Sequence, residues 1–82
     1  MAANNESRVI QIAVDALNGL LAAERLSVEL SALKENPPAC NDLVHFLYHY
    51  SADEDIRQRD SEYAEFQRER LLKLIRELQP EI

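Results

Sequence analysis

The chain has 82 residues, 46% hydrophobic and 29% charged, and nine Lys and Arg against fifteen Asp and Glu leave a formal net charge of −6. That length allows one domain over residues 1–82, at a size where a fold buries only about 60–65% of the surface its unfolded chain exposes, and the composition is that of a folded rather than a disordered chain. Direct nucleic-acid binding needs clustered positive charge to release counterions from phosphate, and here Arg57, Arg59, Arg68 and Arg70 lie embedded among acids, which argues against it.

A single Gly and three Pro leave little material for hairpin turns, so the chain is expected to be helical. Cys40 stands alone, which rules out an internal disulfide and fits a reducing compartment. The opening "MAANNESR" lacks a basic segment followed by an apolar one, and no uncharged apolar run approaches the roughly 18 residues of a membrane span. Together these features predict a cytoplasmic chain with no membrane partner.

In chain order, "ESRVIQIAVDALNGLLAAERLSVELSALKE" favours helix throughout, with Gly19 its weak point at about 1 kcal/mol relative to Ala. At about 100° per residue, Ile10, Val14, Leu17 and Leu21 share one side, while Leu26, Leu30 and Leu33 gather on roughly the opposite side. Two structures satisfy this switch of phase near Asn18 and Gly19. Either Gly19 caps one helix in the left-handed conformation and a second begins, or one long helix is buried on two faces. The lack of a Ser, Thr, Asp or Asn cap directly after Gly19 favours the long helix, whose two apolar faces predict a homodimer.

"NPP" at 36–38 breaks the chain, because Pro37 disfavours helical backbone at Asn36 and neither proline donates a backbone hydrogen bond. Asn41 or Asp42 is placed to cap the next helix, with Leu43, Leu47 and Tyr50 as its seam, widened by Val44 and Phe46. Ser51 and Glu54 have capping-box spacing, so a fresh helix starting at Ser51 competes with continuation of the previous one. In the last segment Ile56, Tyr63, Leu71, Leu74, Ile75 and Leu78 fall on one side. Asp60 interrupts that side, leaving open an unbroken helix or a restart at Asp60 or Ser61. Asp53–Arg57, Asp55–Arg59 and Glu69–Lys73 are acid-before-base pairs four apart, and Pro80 stops the segment. The predicted fold is all-α: a small three- to four-helix bundle with a long or kinked N-terminal helix, a Pro-Pro loop and two further helices, frayed at 1–5 and 80–82.

Four residues in "CNDLVHFLYHYSADED" bear on chemistry: Cys40, His45, His49 and Asp53. His45, His49 and Asp53 are four apart and would share one face of a continuous helix, an arrangement able to offer ligands to zinc, although a tight site needs further ligands and supporting hydrogen bonds. Asp42 and His45 have the spacing of one ligand pair in carboxylate-bridged di-iron bundles, but such sites need two pairs and additional glutamates. A glycine-rich phosphate loop and a Gly-x-Ser-x-Gly elbow are both missing, so no enzyme and no cofactor is expected.

What remains is a contact surface. Tyr48 falls toward the edge of its apolar stripe and Phe66 off the main stripe of the last segment, where aromatics serve as anchors. Asp53, Glu54, Asp55 and Glu62 belong to a run of acids that selects a partner by charge. The sequence thus predicts a non-enzymatic protein-interaction module, a small acidic regulator or inhibitor presenting a helical face to a protein. The alternatives are a metal-binding helical protein using His45, His49 and Asp53, or an acidic nucleic-acid mimic that blocks a basic protein.

Overall fold

A computed structural model describes residues 5–33 and 37–80. The expected fraying at 1–4 and 81–82, and Asn36 of the proline-linked break, lie outside the described residues. Five α-helices follow one another: α1 (Asn5–Leu17), α2 (Ala23–Ser31), α3 (Asn41–Ala52), α4 (Glu54–Arg59) and α5 (Ser61–Leu78), with a 3₁₀ turn at Pro38–Cys40 before α3. The all-α bundle is therefore present. Among the described residues no helix is long and apolar enough to cross a membrane.

The first half departs from the favoured long helix. α1 ends at Leu17, and Gly19 takes a φ of +73°, the left-handed region that costs any residue with a Cβ. The N–H of Leu20 then reaches back to the Asp15 carbonyl at 2.8 Å and that of Gly19 to Ala16 at 3.2 Å, a Schellman closure that satisfies carbonyls at the end of α1. The turn also explains the phase switch. Val9, Ile12, Ala13 and Ala16 from α1 and Leu26 and Leu30 from α2 enter one common core, because the chain reverses between them. Burying Leu26 and Leu30 contributes about 1.5–3 kcal/mol each. Val14, Leu17, Leu21 and Leu33 pack half-buried against the same core. The two stripes that suggested a second copy are thus covered largely within the chain, while Leu20 and Val28 of the same segment stay exposed.

The helix lacking a local cap is served from a distance. Ala22, at the N-terminus of α2, offers no side-chain hydrogen bond, and the N–H of Ala23 donates to Glu54 Oε2 at 3.4 Å, from α4. α2 is also tied to α1 by an Arg8–Glu29 ion pair, and Glu29 accepts Arg25 at 3.2 Å.

α3 has no side-chain cap from Asn41 or Asp42. The 3₁₀ turn runs directly into the helix, with the Cys40 N–H bonded to the Pro37 carbonyl at 2.8 Å and the Asn41 N–H to that of Pro38. Leu43, Val44 and Leu47 are buried as the seam predicts, with Phe46 and Tyr50 half-buried beside them. No capping box forms at Ser51. Its hydroxyl donates to the Tyr48 carbonyl at 2.9 Å inside the last turn of α3, and the helix continues to Ala52.

A restart at Asp60 does occur. Its backbone is extended, and its Oδ1 accepts the Tyr63 N–H at 3.1 Å, the N-cap of α5. α5 buries Leu71, Leu74 and Ile75 as expected. The break at Asp60 separates the phase of α4 from that of α5, and Ile56, placed on the common stripe by sequence, is exposed while no residue of α4 is buried.

Candidate functional site

Since α4 has no buried residue, polar groups must hold it in place. Arg57 Nη1 donates to the Tyr50 carbonyl and, at 2.8 Å, to Gln67 Oε1, while its guanidinium carbon lies 3.6 Å from the centroid of the Tyr50 ring. Gln67 is only 3% exposed and is the one polar side chain in the described core. Its Nε2 donates to Asp53 Oδ2 at 3.0 Å and to the Tyr63 hydroxyl at 3.2 Å, and that hydroxyl donates to the same Asp53 oxygen at 2.8 Å. The result is a satisfied cluster, Asp53–Tyr63–Gln67–Arg57, in which a carboxylate and a guanidinium are joined through an amide. The hydrogen bond to Asp53 pushes the Tyr63 phenol above its ordinary value, with partial burial adding to the effect.

Beside this cluster, a cleft of about 600 Å³ opens between the α1–α2 turn and α4, lined by Leu20, Leu26, Tyr50, Glu54, Arg57 and Gln58, among others. Sequence reasoning did not find it, since it is made by the reversal at Gly19.

The chemistry-bearing residues of the opening stretch separate. His45 and His49 stack edge-on with their Nε2 atoms 3.3 Å apart on the exposed side of α3. Asp53 follows the end of α3 and turns its carboxylate to Tyr63 and Gln67, so the three proposed metal ligands do not converge. Among the described residues no group of three ligating side chains could hold a metal ion. Cys40 is fully buried, and burial, with the Glu6 charge second, pushes its thiol up, the opposite of an activated nucleophile.

Comparison with protein-family models, curated proteins and solved structures gives no match to this chain. Function therefore rests on what the side chains present.

Of the proposed contact residues, Tyr48 is exposed on α3 and Phe66, at 64%, on α5. Asp55 and Glu62 are exposed on α4 and α5. Asp53 and Glu54 are half-buried and already engaged, one in the Gln67 cluster and the other at the N-terminus of α2. Two of the expected intrahelical pairs are replaced by other contacts: Arg57 goes to Tyr50 and Gln67, and Arg59 Nε to the Asp55 carbonyl at 3.3 Å. The ion pairs among the described residues are Arg8–Glu29 and Arg25–Glu29, so Glu69 and Lys73 are not joined either.

Proposed function

We propose that the chain is a non-enzymatic protein-interaction module, a small acidic regulator or inhibitor of the cytoplasm that docks a helical face on a protein partner. The observation that carries this reading is Phe66, a phenyl ring 64% exposed on α5 with the exposed acids Glu62, Glu65 and Glu69 around it. An aromatic ring left in water within a charged surround is the composition of an interface anchor and its selective rim. Tyr48 supplies a second anchor on α3, and Asp55 and Glu62 supply charge that favours a basic partner. Asp53 and Glu54 set the position of α4, and through it the spacing of these contacts.

The test is to capture partners from the source cells on the immobilised chain and then measure affinity for each purified candidate. Phe66→Ala is expected to weaken binding at least tenfold, the scale of an interface anchor. Asp55→Ser with Glu62→Ser should weaken it at low salt and lose most of that effect at high salt, as for exposed charges. A partner bound equally well by wild type and by both variants refutes the reading.

A further inference from the structure

The outer face of α5 carries an order that the contact reading does not use. At about 100° per residue, Glu62, Phe66, Glu69, Lys73 and Arg76 form one stripe opposite the buried Gln67, Leu71, Leu74 and Ile75. Their spacing of four, three, four and three is that of a helix-pairing seam. Charge is divided along the stripe. Glu62, Glu65 and Glu69 make its first half acidic, and Arg70, Lys73 and Arg76 make its second mostly basic, with Glu77 the one acid there. None of these residues is in an ion pair among the described residues. From the middle of the stripe into its second half, Glu69, Leu72, Lys73, Arg76 and Glu77 line a surface groove of about 400 Å³.

We infer that α5 pairs antiparallel with α5 of a second copy of this chain about a twofold axis near Glu69 and Arg70. Phe66 and the middle of the groove, at Lys73, are seven residues apart, or about 10 Å along the helix. Reversing one copy about the midpoint of that interval places each Phe66 over the groove of the other. The same operation brings Glu69 level with Arg70 of the other copy and Glu65 and Glu62 within one residue's rise, about 1.5 Å, of Lys73 and Arg76, while Glu62 also comes level with Glu77. Acid–base approaches outnumber the single acid–acid one, which leaves the surface complementary to itself on balance, as a twofold interface requires. A parallel arrangement would oppose acid to acid and base to base.

The helix is about 27 Å long, and one helical face falls short of the roughly 800 Å² per partner of a stable interface. The association is therefore weak and salt-dependent. It rests on the assignment of the α5 outer face as a contact surface and names a second copy as one occupant.

Sedimentation equilibrium of the full chain tests it. At low salt the average mass is expected to rise above 9.4 kDa with concentration, toward twice that value, and to fall back at high salt. Phe66→Ala should weaken the association at least tenfold. Two charge reversals decide the geometry: Glu62→Lys with Glu65→Lys, and Lys73→Glu with Arg76→Glu. Each alone is expected to abolish self-association while keeping wild-type helicity by circular dichroism, and mixing the two variants is expected to restore a dimer. A wild-type mass of 9.4 kDa up to about 1 mM, or a mixture that stays monomeric, overturns the inference. Loss of self-association in wild type alongside Phe66-dependent binding of another protein would sink this proposal and leave the interaction reading intact.

Discussion

Replacing Gln67 by Leu tests whether the polar cluster is what keeps α4 in place. The substitution removes three hydrogen bonds: from Arg57 at 2.8 Å, to Asp53 at 3.0 Å and to Tyr63 at 3.2 Å. A bond to a charged group is worth about 1.5–3 kcal/mol where both ends are buried. Here Arg57 and Asp53 are half-exposed and each keeps another partner, Tyr50 and Tyr63 respectively, so about 0.5–1 kcal/mol survives for each, and the neutral bond to the Tyr63 hydroxyl adds about 0.5 kcal/mol. Leucine recovers part of this by burying apolar surface, roughly 0.5–1 kcal/mol at about 25 cal/mol per Å². The net expectation is a loss of about 1 kcal/mol, read as a lower midpoint in urea with an unchanged slope and a Tm fall of roughly 4–8 °C. The loss should be uneven. Hydrogen exchange in α4 is expected to speed up more than in α5, because α4 has no buried side chain of its own to hold it. A Gln67→Leu protein at least as stable as wild type, with α4 amides equally protected, would refute the account of how α4 is fixed.

Gly19→Ala is expected to destabilise by about 1 kcal/mol through its left-handed φ alone, since an added Cβ meets nothing within 4 Å; equal urea midpoints would contradict this. Cys40 should resist thiol reagents in the native protein and react once urea unfolds it, because its side chain is fully buried and its thiol is held neutral; fast native labelling would refute that placement. Tyr63 gives a pH dependence. Its folded pKa is raised by the bond to Asp53, so its contribution is present below the ordinary phenol value and lost as pH rises through the raised one. Wild type is therefore expected to lose stability more steeply than Tyr63→Phe in that alkaline range, and parallel curves would remove the bond from the account.

Hydrophobic phase identified most of the core. Leu43, Leu47, Leu71, Leu74 and Ile75 lie where helical periodicity puts them, and the change of side at Gly19 marked a real reversal of the chain. The missing cap near Gly19 pointed the other way because the group that serves α2, Glu54, is 31 residues distant in sequence, and local pattern carries no signal for such a contact. Gln67 escaped notice for a related reason. An amide on an apolar stripe reads as a flaw until Arg57, Tyr63 and Asp53 are seen to converge on it. The aligned histidines and Asp53 shared a face only while the helix was assumed to continue, and its end at Ala52 turns the acid elsewhere.

The dependence of α2 on Glu54 has a consequence for how the chain is made. While residues beyond Ala52 are still inside a ribosome, the N–H of Ala23 lacks its carboxylate, although α2 can already pack on α3 and α1, its main neighbours. The first turn of the second helix is thus set to settle late, after a segment far downstream has emerged. Nascent chains stalled at successive lengths would show that turn gaining protection only once α4 has joined, after the rest of α2 is already held by α3.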